Sequence, residues 1–224
     1  RMVPLLVRYG ADPNGTTADG WAPLHLAARA NNWEAIPALI DAGAAVNMRA
    51  VCADGATPLV VAARADAPRA ARALLQAGAC VDVPLIGSGR QALHEAAAAG
   101  SVDIMLLLLD HVPQAASLAA VDARGRQPLH AAIAAGQEGT VCLLLVRGAD
   151  PHMAPPGGVS QAIHMAARYG NEAIIRALVQ GGAAPDAPRP SDRRTPLPVA
   201  AANSHAGAAR ALLQLGAAAT AQDA

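Results

Sequence analysis

Seven histidines and three cysteines carry the most reactive side chains in this sequence. Their spacing indicates whether they could form a metal site or a catalytic nucleophile. His94-Glu95 begins like the zinc-protease motif H-E-x-x-H, in which two histidines share one helix face. The second histidine position is occupied by Ala98, so the motif is incomplete. Gly87-Ser88-Gly89-Arg90 matches neither a phosphate-binding loop nor a serine nucleophile elbow. We therefore expect no enzyme activity, no metal and no cofactor.

The cysteines and the longest apolar run predict where in the cell the protein resides. Cys52, Cys80 and Cys142 are odd in number and far apart, and they form no C-x-x-C pair. This pattern does not favour a disulfide framework or a zinc site, and it is typical of a reducing environment. We therefore expect a cytoplasmic, intracellular protein. The longest apolar run, Ile104 to Leu109, is too short to cross a bilayer, so no membrane insertion is expected.

Charge and composition restrict the partner and the fold class. The 17 basic residues are all arginine, and they are balanced by 17 acidic residues. Nucleic-acid-binding proteins usually show a basic excess, so nucleic acid is not expected as a partner. Phenylalanine is absent and aromatic residues make up only 2% of the chain. Alanine and leucine, which fill the apolar fraction, are strong helix formers, and this predicts an all-α fold.

A tetrapeptide of the type Thr-Pro-Leu-His occurs six times at intervals of 34 to 36 residues. We call its second residue the helix-start residue; the six copies are Pro23, Pro58, Ala92, Pro128, Ala162 and Pro196. Proline suits the first turn of a helix, because no intrahelical bond needs its missing N–H. Four of the seven histidines stand two residues later in this tetrapeptide. Because successive repeats separate them, these histidines offer no converging set of metal ligands.

Each unit reads as two short helices. Thr57 and Thr195 are suitable N-caps before the first helix, and Gly100, Gly136 and Gly170 are placed to end it. The second helix carries an aliphatic pair such as Leu74-Leu75 and closes with a Gly-Ala pair. The Gly-Ala pair is missing once, between residues 110 and 122, where the interval grows to 36 residues. This departure is explained either by a loop insertion or by a local partner site.

The tetrapeptide, the Gly-Ala pair and the period together resemble the ankyrin repeat. The resemblance covers essentially the whole chain and implies an all-α solenoid of stacked helix pairs with hairpin-like finger loops. It implies one domain, residues 1–224, with a partial repeat at 1–14 and full repeats at about 19–51, 54–86, 88–121, 124–155, 158–188 and 192–224. It also implies that the tetrapeptide histidine ties the helix start to neighbouring loops. Because both ends read as interior repeats, we expect a segment of a longer protein.

Equivalent positions of stacked repeats form rows on the surface. Two residues before the helix-start residue, on the fingers, the row contains an exposed tryptophan and three arginines; six residues after it, the row contains three more. Tryptophan and arginine are enriched at binding hot spots, and the arginine fork matches a carboxylate. The predicted partner-binding residues, with one further arginine from the fourth finger, are Trp21, Arg29, Arg64, Arg90, Arg124, Arg126, Arg168 and Arg194. The alternative is that they serve solubility and loop packing.

A repeat array without a reactive site predicts a non-catalytic scaffold or adaptor. Its partner is expected to be another protein, either a folded domain or an extended peptide, and the arginines favour one with acidic groups. Two alternatives stay open. The array is a targeting module of a larger enzyme or a ubiquitin-ligase substrate receptor, or it is a structural subunit of a large assembly. Catalytic motifs in the flanking sequence would favour the first alternative, and a monodisperse isolated monomer would count against the second.

Overall fold

A computed structural model shows a helical protein. The structure describes residues 9–51, 54–112, 114–155 and 160–219, with only the backbone for 114–116. These ranges contain thirteen α-helices and no strand. Most of the predicted partial repeat and Cys52 lie outside the described residues. The chain divides into two compact units, Arg1–Pro113 and Gln114–Ala224.

The first unit contains three helix pairs in two layers. Its helices are α1 (Pro23–Arg29), α2 (Ala35–Asp41), α3 (Pro58–Arg64), α4 (Pro68–Gln76), α5 (Ala92–Ala99) and α6 (Val102–His111). The first helices of the pairs pack on one another, α1 on α3 and α3 on α5, and the second helices do the same. This arrangement is a stack of helix pairs, as the repeat pattern predicts.

The second unit repeats the arrangement after one additional helix. Its helices are α7 (Gln114–Ala119), α8 (Pro128–Ala134), α9 (Glu138–Val146), α10 (Ala162–Tyr169), α11 (Glu172–Gln180), α12 (Pro196–Ala202) and α13 (Ala206–Gln214). The long interval of the third repeat therefore contains helix α7 rather than only a loop. Gln114, Ala119 and their neighbours are good helix formers, and Leu118 anchors the turn because its side chain is buried.

The helix-start residues begin the first helix of every full repeat, as the sequence predicts. The aliphatic residue that follows is buried in five repeats, whereas Leu197 is only partly buried. The alanines that come next, such as Ala62 and Ala166, have no exposed surface. Small side chains there allow the first helices to pack closely. Thr57 and Thr195 both occupy N-cap positions, as predicted. The Thr57 hydroxyl accepts from Val60 N at 3.4 Å, whereas the Thr195 side chain makes no cap bond.

The tetrapeptide histidines tie consecutive repeats together. The Ala22 N–H donates to Nδ1 of His25 at 3.2 Å, so the ring proton of the neutral form lies on Nε2. Nε2 then donates to the carbonyl oxygens of Met48 and Ala56, each at 3.0 Å. Ala56 belongs to the next repeat. The histidine therefore links the start of one helix pair to the finger of its neighbour.

A second set of side chains links the loops that follow the second helices. Asn14 accepts from the N–H of Ala45 at 2.8 Å and donates to the carbonyl of Gly43. Asn47 accepts from the N–H of Cys80 at 2.8 Å in the same way. Each bond spans about one repeat, so loops as well as helices are connected along the stack.

Eight residues after each helix-start residue the backbone has positive φ. Glycine fills this position in three repeats, at Gly100, Gly136 and Gly170, as predicted. The other three repeats place Asn31, Asp66 and Ser204 there, with φ of 52°, 48° and 60°. A side chain with a β-carbon is strained in this region of the backbone map. The three repeats therefore carry local strain at the end of their first helix.

We predict that Ser204→Gly raises the free energy of unfolding by about 1 kcal/mol, because glycine adopts positive φ without steric penalty. Asn31→Gly is the matched variant, and it should give no net gain. Asn31 Oδ1 accepts from Ala70 N at 3.0 Å, and losing that bond offsets the relief of strain. Urea unfolding of both variants measures the difference. Equal effects of the two substitutions would contradict the strain argument.

Two buried histidines make stability depend on pH. Burial lowers the pKa of His25 and of His164, and hydrogen bonds to backbone carbonyls only partly oppose this effect. A lowered pKa in the folded state means that the unfolded chain takes up protons first as the pH falls. We predict that the free energy of unfolding declines from pH 7.5 to pH 5. The His25→Gln/His164→Gln double variant should show a flatter profile in the same urea titrations, and an unchanged slope would contradict the prediction.

Candidate partner-binding surface

The predicted partner-binding residues differ in solvent exposure and in the contacts that their side chains already make. Trp21 is partly buried rather than exposed, because its ring packs edge-on against His25 with centroids 5.6 Å apart. The finger turn fixes this position, since the Thr17 N–H donates to the Trp21 carbonyl at 3.0 Å. Arg29, in the last turn of α1, is exposed. The expectation of an exposed tryptophan is therefore wrong, and its role at an interface stays a prediction.

Arg64 and Arg90 belong to an internally neutralised network in the first unit. Arg64 on α3 pairs with Asp54 of its own finger at 2.5 Å and with Glu95 on α5 at 2.8 Å. Arg90 Nε lies 3.1 Å from the other oxygen of Glu95. That contact is an ion pair without hydrogen-bond alignment, since neither atom has an aligned partner. Two carboxylates therefore face these two arginines.

The network makes the charged state of Arg64 more favourable. Burial lowers the pKa of its guanidinium, but the bonds to Glu95 and Asp54 outweigh burial and raise it. Glu95 itself is buried on α5. Donors of Arg64 are thereby engaged within the unit, and the role of Arg64 and Arg90 at an interface stays a prediction.

Arg124 and Arg126 project from a finger that is organised by one carboxylate. Asp122 accepts from the backbone N–H groups of Arg124 and Arg126 at 2.8 and 2.9 Å and from Arg126 Nε at 2.9 Å. Burial raises the pKa of Asp122, but these bonds outweigh it and the pKa is lowered. The side chain of Arg126 is thereby held against the turn, whereas Arg124 is exposed.

Arg168 lies between two small cavities of the second unit. The first has a volume of about 240 Å³ and is lined by Arg124, Arg126, Pro155, Ser160, Met165, Arg168 and Tyr169. The second has a volume of about 210 Å³ and is lined by Ser160, Arg168, Arg189, Arg194, Pro198, Val199, Ala202 and Asn203. Ser160 and Arg168 line both cavities, which are therefore adjacent. We call these two cavities and their walls the arginine groove.

No acidic side chain lines the arginine groove among the residues that the structure describes. Arg189 and Arg194 share Asp192, at 3.4 and 3.8 Å. Arg168 is exposed on α10, and no carboxylate lies within 4.0 Å of it in the described ranges. The groove brings together four predicted residues, Arg124, Arg126, Arg168 and Arg194, and it leaves Arg168 as a cation without a counter-ion there.

The repeat register explains why Arg64 is neutralised and Arg168 is not. Both stand six residues after a helix-start residue. Asp54 stands four residues before its helix-start residue, where the fifth repeat has Gly158 in the sequence. Glu95 stands three residues after the next helix-start residue, where the sixth repeat has Val199. The sequence therefore contains this difference, although a row-by-row comparison does not reveal it. Ser160, Met165, Tyr169 and Arg189 were missed as wall residues.

The part of the chain that the structure describes contains no cluster of three or more histidine, cysteine, aspartate or glutamate side chains that could hold a metal ion. Within the same ranges, no helix has the length and apolar character needed to cross a bilayer. Cys80 and Cys142 are both exposed and free.

We predict that Glu95→Ala lowers the free energy of unfolding by about 1–2 kcal/mol, because it leaves Arg64 and Arg90 without their shared partner in a partly buried site. Arg29→Ala serves as the control: this exposed arginine has no ion pair among the described residues, and its removal should change stability by less than about 0.5 kcal/mol. Urea unfolding monitored by circular dichroism measures both. Equal stability of the two variants would show that the network contributes nothing.

The sequence matches a family model described as ankyrin repeats (3 copies) over residues 1–84, 80–155 and 156–223. Among solved structures, the crystal structure of the human ASB11 ankyrin repeat domain aligns with a TM-score of 0.77 at 24% sequence identity. The alignment covers 91% of this chain and 88% of that chain. At this identity the likeness shows the fold alone. No curated protein matches the sequence significantly.

Proposed function

The chain belongs to the ankyrin-repeat family, and we propose that it is a non-catalytic scaffold or adaptor that binds another protein through its first helices and finger loops. Ankyrin repeats are generally protein–protein interaction modules. The observation that carries the proposal is the arginine groove, where Arg168 has no counter-ion among the described residues and apolar walls adjoin it. Arginine at a partly apolar surface is characteristic of binding hot spots.

The free and exposed thiols of Cys80 and Cys142 support a reducing, cytoplasmic location as part of this proposal. A role as a targeting module of a larger enzyme, as a substrate receptor or as an assembly subunit also stays a proposal. Catalytic motifs in the flanking sequence would favour the targeting module, and a monodisperse isolated monomer would count against the assembly subunit.

We predict that the chain, used as bait in a lysate of its source cells, captures a partner that the variant Arg124→Glu/Arg168→Glu/Arg194→Glu does not capture. Charge reversal at the groove opposes an acidic surface that the wild-type chain attracts. The matched control is Arg69→Glu/Arg72→Glu/Arg210→Glu, which changes the net charge equally at exposed arginines of second helices. Mass spectrometry with quantification against both baits gives the measurement.

The control should retain the partner. If the two variants lose the same proteins to the same degree, the effect is one of net charge, and the groove is not the binding surface. Circular dichroism of both variants verifies that each remains helical before the comparison is made.

A further inference from the structure

We infer that the arginine groove binds an extended acidic segment of the partner, with carboxylates on Arg124, Arg168 and Arg194 and an apolar side chain against Met165 and Tyr169. This inference rests on the proposed function and specifies its partner.

The charge around the groove favours an acidic ligand. Five guanidinium groups line it, whereas no acidic side chain lines it among the described residues. Asp122 pairs with Arg126, and Asp192 pairs with Arg189 and Arg194. Positive charge is therefore in excess there. The backbone that carries two of these side chains is held in place, since the N–H groups of Arg124 and Arg194 are bonded to Asp122 and Asp192 at 2.8 and 3.2 Å. Arginine pairs with carboxylates through two parallel bonds, which gives geometric as well as electrostatic selectivity.

The size of the groove favours an extended segment as the ligand. Cavities of about 240 and 210 Å³ fall below the about 300–1,000 Å³ typical of sites for drug-sized ligands. Each cavity therefore suits single side chains. Because the two are adjacent, a chain that runs across both can place successive side chains in them. An extended segment fits this arrangement better than a small molecule or the flat surface of a folded domain.

The spacing of the repeats predicts which positions of the bound segment are acidic. Arg124 and Arg194 lie on the fingers of the fourth and sixth full repeats, and Arg168 lies on the first helix of the repeat between them. Packed helices lie about 8–10 Å apart, and an extended chain advances about 3.3 Å per residue. One repeat therefore corresponds to about three residues of the segment. The occupant should carry acidic residues at every third position, with an apolar residue near the first of them for the wall formed by Met165 and Tyr169.

Several observations favour a peptide over a nucleic acid. The chain as a whole has a formal net charge of zero and no lysine, whereas nucleic-acid-binding domains carry a basic excess. The walls of the second cavity include Pro198 and Val199. Apolar walls of this kind match amino-acid side chains and offer little to a phosphate backbone.

A comparison of equivalent positions in the repeats suggests a substitution that neutralises the groove without removing an arginine. Val199→Glu places a carboxylate where Glu95 stands in the third repeat, with Arg168 and Arg194 taking the places of Arg64 and Arg90. Val199 and Glu95 are both buried, at 8% and 7% exposure. The introduced carboxylate should occupy the donors that the peptide needs. Arg168→Ala removes the central donor instead, and Arg210→Ala is the control because Arg210 is an exposed arginine of α13 that does not line the groove.

The test uses the full chain and a fluorescent peptide with glutamates at every third position and a leucine after the first. Anisotropy should show binding that weakens about tenfold in Arg168→Ala, is lost in Val199→Glu, is unchanged in Arg210→Ala and weakens with added salt. A peptide of the same composition with contiguous glutamates should bind less tightly. Thermal melts establish that every variant is folded.

Equal binding of the patterned peptide by wild type and Val199→Glu would overturn the inference. So would tighter binding of a single-stranded oligonucleotide than of the peptide, which would assign the groove to a polyanion of another class. If the lysate partner depends on the groove arginines but no acidic peptide binds, the proposed function stands and the inferred occupant is wrong. If the lysate partner does not depend on them, the proposed function itself fails.

Discussion

Helix length is the constraint on which the rest of this structure depends. The helices have six to ten residues, whereas an isolated helix shorter than about 12–15 residues is marginal in water. None of the helices that the structure describes can therefore persist through its own hydrogen bonds alone. Stability has to come from contacts between repeats: alanine-lined helix packing, histidine bonds from one helix start to the next finger, and asparagine bonds between loops. In such a stack the interface between neighbours is as much a structural unit as the repeat itself.

The fold followed closely from the sequence because the same few requirements occur in every repeat. The position of the helix-start residue, the aliphatic residue after it and the residue at positive φ each have a local cause, so the six copies reinforce one another. Predictions failed where a repeat departs from the others. Helix α7 replaces an expected loop because the inserted residues are themselves helix formers. Thr195 lacks its expected cap bond, and Trp21 is partly buried by its neighbour His25.

The candidate site was predicted only in part, for a different physical reason. Arginine rows could be recognised from the register, but the state of each arginine depends on residues in adjacent repeats. Arg64 is neutralised by Asp54 and Glu95, and Arg168 is not, because glycine and valine stand at the corresponding positions. This difference between Arg64 and Arg168 is not visible when each row of equivalent positions is considered separately. Comparing three rows together would have distinguished an arginine that has carboxylate partners from one that has none among the described residues.

The residues at positive φ have a consequence for the dynamics of the chain. Asn31, Asp66 and Ser204 place strain in the first, second and sixth full repeats, while glycine leaves the third, fourth and fifth relaxed. In a stack whose stability is a sum over repeats and their interfaces, local opening is easiest where that sum is smallest. Amide protons of α8 and α10 should therefore exchange with solvent more slowly than those of α1 and α12. The arginine groove would then have one slowly opening wall and one that opens more often.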